Sequence, residues 1–182
     1  QQALEQAAQA LQSCRDVVVT DITLPPSFQT LVQAQTQVQL FEQAHNLAYE
    51  HIVHRAQLSP RLQDILKSGQ AVTHDLYDAA MQHIALCRAQ LPEVFAHVDV
   101  LLTLSAQGEA PLGLTNTGDP LFCRIWTALH TPSVNLPVAI GPAGLPIGLQ
   151  VVASPMHDSL LLSAAHHLMQ KLGPSQSTQL SP

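Results

Sequence analysis

The chain has 182 residues, 46% of them hydrophobic and only 11% charged, with a net charge of −6. This length suits one domain with a real core, and the hydrophobic fraction excludes a disordered chain. Seven basic residues without a basic stripe exclude nucleic acid as a partner, and so few charges leave part of the surface expecting a protein neighbour.

The opening QQALEQAAQALQSC has no initiating Met and starts on helix formers without an N-cap. Leu4, Ala7, Ala8 and Leu11 stand at helical spacing, so the start reads as a helix cut into or shortened. DVVVTDI (16–22) reads as a short buried strand, ended by LPPSF (24–28). A long helix is expected over about 29–57, with the stripe Leu31, Ala34, Val38, Phe41, Ala48 and Ile52. Ser59-Pro60 is an N-cap and N1 pair for a short helix that Gly69 should stop. Thr73 should cap a helix to about 91, with Tyr77, Ala80, Ile84, Cys87 and Leu91 inward.

VDVLLTL (98–104) is a strand too continuously apolar to be half-exposed. A loop with Gly108, Pro111, Gly113, Gly118 and Pro120 leads into helix-like LFCRIWTALH (121–130). VNLPVAI and IGLQVV then read as strands either side of a Gly/Pro joint, and a helix from His157 to Leu172 closes the chain at Gly173-Pro174. The three apolar strands should be neighbours in one sheet covered by the helices at 29–57, 73–91 and 157–172. The fold class is α/β, a mixed sheet flanked by helices, over one domain at 1–174 with a flexible tail at 175–182.

No apolar run reaches membrane-spanning length: VFAHVDVLLTL (94–104) is interrupted by His97 and Asp99. Nothing reads as a signal peptide. Cys14, Cys87 and Cys123 are odd in number and widely spaced, which suits free thiols in a reducing cytosol.

The order DVLLTL, then APLGLTNTGDPLFCRIWTALHTPSVNLPVAIGPAGLPIGLQVV, then HDSLLLSAAHHL carries a recognisable set of motifs. It includes a Gly-Asp-Pro turn before a Trp-Thr helix, Gly-Leu-Pro-x-Gly-x-Gln, and a helix opening Asp-x-x-Leu-Leu. In this order and spacing it resembles the C-terminal part of amidase-signature enzymes, over roughly residues 10–173. Two departures, Leu104 for a frequent Pro and His130-Thr131 for a frequent Gly-x, leave the local turn shapes open.

The resemblance implies a three-layer α/β/α fold and a bacterial, cytoplasmic enzyme that hydrolyses carboxamide C–N bonds without cofactor or metal. It implies a serine nucleophile and a second serine in a cis peptide, both in a Gly/Ser-rich loop, with a lysine base some distance before that loop, all in the N-terminal half. None of that loop lies in these 182 residues, so no catalytic residue is assigned here. The expected partners are that N-terminal catalytic half and a small amide substrate, with a second copy of the chain as another candidate.

In related amidases the helix after the Gly-Asp-Pro turn borders the acyl pocket. Phe122, Arg124 and Trp126 are therefore the candidate substrate-binding residues: Arg124 for a carboxylate or carbonyl, Trp126 as a wall. The alternative packs Trp126 in the core and pairs Arg124 with an acidic residue such as Asp119. Cys123 reads as an apolar filler.

Other chemistries find less support. Glu42-x-x-His45 has the spacing of half a di-iron site but no second copy. Glu50, His51, His54 and the His166-His167 pair do not close a ligand set, so no metal is assigned. His45 reads as a hydrogen-bonded core histidine. No Gly-x-Ser-x-Gly elbow exists for a Ser-His-Asp hydrolase. Lys67-Ser68-Gly69 ends a short helix at a spacing foreign to the signature loop. The other class of function left open is a non-catalytic interaction module that retains the amidase scaffold.

Overall fold

The computed structural model describes residues 1–114 and 116–173. They fall into two compact units: one is Pro26–Ala89, and the second joins Gln1–Pro25 to the chain from Gln90 onward. The tail expected at 175–182 lies outside the described residues.

In the unit Pro26–Ala89, a 3₁₀ turn at Pro26–Thr30 leads into α2 (Leu31–Asn46), α3 (Ala48–Val53), α4 (Pro60–Gln70) and α5 (His74–Ala89). α2 packs against both α4 and α5. The single helix expected at 29–57 is interrupted, because Leu47 (φ −105°, ψ 20°) and His54 (φ −118°, ψ 23°) leave the helical region. The burial pattern gives the reason: Leu31, Ala34, Phe41 and Ala44 are buried, whereas Ile52 and Val53 are exposed. Past residue 47 the apolar stripe has no packing to hold the helix straight. His45 is exposed rather than a core histidine, although its Nδ1 lies 2.8 Å from the Phe41 carbonyl and its ring 4.0 Å from that of Phe41.

The caps stand where the sequence put them. Ser59 Oγ accepts from the Leu62 N–H at 3.3 Å, and Thr73 Oγ1 from the Leu76 N–H at 3.3 Å. Gly69 does not stop α4, which runs on to Gln70. Its role is close approach: a Cβ there would collide with the Leu40 carbonyl and stand 2.8 Å from the Ala44 Cβ on α2. A helical Gly→Ala change ordinarily gains about 0.5–1 kcal/mol, and overpacking ordinarily costs about 1–3 kcal/mol. Gly69→Ala is therefore expected to destabilise this unit by about 1–2 kcal/mol, read as a lower urea midpoint. A raised midpoint would mean α2 and α4 do not touch here.

In the other unit, α1 (Gln2–Gln12) and α8 (Asp158–Leu172) cover one face of an antiparallel sheet of order β1-β3-β2. Its strands are β1 (Leu101–Leu104), β2 (Ser133–Ile140) and β3 (Pro146–Val152). The three expected strands are thus neighbours. Among the described residues the sheet is wholly antiparallel rather than mixed, since the β2–β3 joint is a hairpin. Within this unit the cover comes from α8, the helix expected at 157–172, and from α1. Leu11, Leu136, Val151, Ala153, Leu161, Ala165 and Leu168 form the core. A short α6 (Leu91–Val94) precedes β1, and α7 (Leu121–Leu129) precedes β2.

Pro137 is tolerated because β2 is an edge strand among the described residues, and the register slips between Pro137 and Ala139. α7 ends on His130 in the left-handed region (φ 56°), the conformation a glycine would adopt most cheaply. Thr131 holds that turn, its N–H and its hydroxyl both donating to the Trp126 carbonyl at 3.1 Å.

Residues 16–22 do not form the expected strand. Val17 and Val19 pack on the core while Val18 is 90% exposed, so the alternation of a strand is present. No ladder forms with another strand among the described residues. The segment is held to α8 by Asp16, whose Oδ2 lies 2.7 Å from Lys171 Nζ and 3.2 Å from His167 Nε2. The hydrogen bond from Lys171 holds the Asp16 carboxyl below its ordinary value of 3.8 and the Lys171 ammonium above 10.5. A lowered carboxylate contributes stability that is complete above pH 3.8 and fades as pH falls through its folded value. A raised ammonium contributes below pH 10.5 and fades as pH climbs past its folded value. Asp16→Asn should remove a small stabilisation within that window, and 1 M salt should erase the difference, because the groups are exposed. An Asp16→Asn deficit that persists at pH 2 would contradict this reading.

Candidate functional site

The candidate site lies in the sheet-bearing unit, where α7 begins. A cleft of about 690 Å³ has Phe122, Leu104, Ile140 and Ile147 as its apolar wall, with the carboxamide residues Gln6 and Gln107 along it. Its size falls in the range of small-molecule sites. Phe122 lines it. Arg124 is half-buried one turn into α7, and Trp126 is 3% exposed and lies outside the lining. The structure thus brings Phe122 to the cleft and sets Trp126 in the interior. Cys123 is exposed, so it is no filler, with its Sγ 3.8 Å from the Ser105 carbonyl.

Three residues that sequence reasoning passed over as site elements build this region. Glu109 lies in the Gly/Pro loop, and its carboxylate accepts from the Ala143 N–H at 2.9 Å and the Leu145 N–H at 3.1 Å. It closes the β2–β3 joint, a turn also fastened by the Gly141 N–H donating to the Leu145 carbonyl at 2.8 Å. Gly148 leaves room for the Asn135 side chain across the ladder, which a Cβ would displace. Gln150 is 3% exposed, and its Nε2 donates to the Leu104 carbonyl at 2.7 Å and the Phe122 carbonyl at 2.9 Å. Gly148 and Gln150 are the last two fixed letters of Gly-Leu-Pro-x-Gly-x-Gln. A buried-type strand carrying a lone Gln was the available signal for the second.

Several polar groups elsewhere are engaged locally. Ser68 Oγ donates to the Asp64 carbonyl at 2.9 Å, so the Lys67-Ser68-Gly69 triplet presents no aimed hydroxyl. Ser105 Oγ donates to the Gly148 carbonyl at 2.8 Å. His83 Nε2 sits 2.9 Å from Thr30 Oγ1 and 3.0 Å from the Ser27 carbonyl. A carbonyl oxygen only accepts, so that nitrogen carries the proton and is no base toward Thr30. Burial pushes the nearby Cys87 thiol up, away from a thiolate nucleophile. Glu42 accepts from the Tyr77 hydroxyl at 3.1 Å. Among the described residues, no group of three or more His, Cys, Asp or Glu is placed to hold a metal ion, and no helix is long and apolar enough to cross a membrane.

The model of the family described as Amidase matches residues 1–162. The chain belongs to the amidase family. A glutamyl-tRNA(Gln) amidotransferase subunit of a Synechococcus species is 34% identical over 101 residues, which is 52% of this chain and 21% of that protein. A crystal structure of an amidase matches with a TM-score of 0.85 at 25% identity, covering 94% of this chain and 42% of the other. A vestigial protein complex bearing on the origins of an s-triazine catabolic enzyme shares the fold, with a TM-score of 0.80 at 22% identity over 95% of this chain and 39% of its own. The chain therefore spans about a fifth of the curated relative and about two fifths of the solved amidase it matches. The α/β class expected from the sequence is that of these amidase neighbours.

Proposed function

We propose that the chain is the C-terminal segment of an amidase that cleaves carboxamide C–N bonds with a Ser–cis-Ser–Lys apparatus lying outside residues 1–182. The family match over residues 1–162 is the observation that carries the reading. In the intact enzyme the serine hydroxyl loses its proton to the neighbouring base and attacks the amide carbonyl. The tetrahedral oxyanion rests on backbone N–H donors, and the C–N bond breaks as ammonia or an amine leaves with a proton. Water then attacks the acyl-enzyme and releases the carboxylic acid, restoring the serine.

The share of this chain is the acyl side of the site. The cleft beside Phe122 takes the apolar part of the acyl group, Arg124 serves substrates with a carboxylate or polar acyl group, and Trp126 backs α7 from the interior. The partner is the N-terminal catalytic half. The scarcity of charge, and the exposure of Val18 and Leu162 in the sheet-bearing unit and of Tyr49, Ile52 and Leu86 in the helical one, support a protein neighbour. Alone, the chain is expected to self-associate through a sheet edge that the missing half would otherwise cover, in the cytoplasm of a bacterium as elsewhere.

Complementation tests the proposal. Mixing the chain with an amidase-signature N-terminal half should give a complex by size-exclusion chromatography and release ammonia from simple carboxamides. A stable complex without turnover, from a half that is itself intact, would favour a non-catalytic interaction module.

A further inference from the structure

Gln150 is a buried carboxamide in the middle strand of an apolar sheet. Val151, its neighbour, pairs with Leu102 and Val134 in the core beneath α8, so by the strand alternation Gln150 stands on the opposite face with Thr103 and Asn135. From there both hydrogens of its amide nitrogen are used, one on the Leu104 carbonyl at the end of β1 and one on the Phe122 carbonyl in the first turn of α7. Both of those residues line the cleft. A side chain buried to 3% exposure, with two donors spent on the backbones of two cleft walls, fixes their separation. An apolar residue of equal length would fill the space and leave both carbonyls without that donor.

We infer that Gln150 is a positioning residue that sets the width of the cleft by tying the start of α7 to the end of β1, and so governs which acyl groups the site accepts. This rests on the proposed acyl role of the cleft. The connection between Gln150 and α7 itself is independent of any reaction.

The test uses two readouts and a control. Gln150→Met keeps the length and removes the donors, while Val151→Ala weakens the opposite face without touching α7. Trp126, the only tryptophan, sits one turn beyond Phe122 and reports on α7. Gln150→Met should raise acrylamide quenching of Trp126 under native conditions, and Val151→Ala should not. In the enzyme complemented with its N-terminal half, Gln150→Met should shift the ratio of kcat/KM between small and bulky acyl amides by about tenfold, with the Val151→Ala ratio unchanged. Should Gln150→Met fail to fold, Gln150→Asn keeps a donor too short to reach both carbonyls and should give the same two changes. Equal quenching in the two variants, or an unchanged ratio with only a lower Tm, would overturn the inference. A complemented wild type that hydrolyses no amide would sink the proposed function instead, with the quenching comparison still deciding the link to α7.

Discussion

Trp126→Ala is expected to cost about 3–5 kcal/mol of stability, the usual range for deleting a buried tryptophan. For a chain of this size that corresponds to a fall in Tm of about 6–20 °C. The side chain is 3% exposed, so truncation both forfeits its burial and leaves a cavity that α7 can only partly close. The same residue's carbonyl receives both Thr131 donors that hold His130 in its left-handed turn, so any shift of α7 is passed to the start of β2. The measurement is thermal unfolding followed by far-UV circular dichroism, since the variant has no tryptophan to report. A loss under about 1 kcal/mol would place the ring at the surface, where large-to-small changes cost little. The contrast is Phe122→Ala, which should alter acyl selectivity in a complemented enzyme, because that ring lines the cleft.

Much of the fold was legible because it is written in local chemistry. Ser59-Pro60 and Thr73 announced the starts of α4 and α5, since an N-cap acts on N–H groups two or three residues away. The apolar runs VDVLLTL, VNLPVAI and IGLQVV announced three adjacent strands, and the short Gly/Pro joint announced that the last two pair directly. What the sequence hid depends on partners remote in the chain. Val17 to Ile22 has strand composition, yet a strand exists only where another backbone offers a ladder. Gly69 looks like a helix stop from the residues around it, and only the Leu40 carbonyl on α2 reveals why it must lack a Cβ. The break at Leu47 follows from the loss of packing beyond Ala44, which periodicity alone does not register.

The candidate site was half legible for the same reason. The motif order led to α7 and to Phe122, which does meet the cleft. The separation of Phe122 from Trp126, one on the lining and one in the interior, required the helix to be placed. Glu109 and Gln150 act on backbone groups of residues 34 to 46 positions away, at Ala143 and Leu104 respectively. No spacing rule reaches that far.

The second large effect concerns catalysis. Purified by itself, the chain should show no turnover of simple carboxamides above the buffer rate. Enzymes gain many orders of magnitude from an activated nucleophile, a base and an oxyanion hole held in one geometry. Lys171 is engaged with Asp16, and the Ser68 hydroxyl beside Lys67 is spent on its own helix. The one histidine meeting a threonine hydroxyl, among the hydrogen bonds described, donates to a carbonyl instead of accepting a proton. Ammonia release at a rate that scales with chain concentration, and that survives repurification, would contradict this expectation.

Reaction with a fluorophosphonate probe tests the central claim most directly, because the reagent reports an activated serine without requiring the right substrate. The chain alone should remain unlabelled, while its complex with an N-terminal amidase half should take up one equivalent, located on a serine of that half. Labelling of a serine within residues 1–182, abolished by a single Ser→Ala change, would place the catalytic centre in this chain and contradict the account.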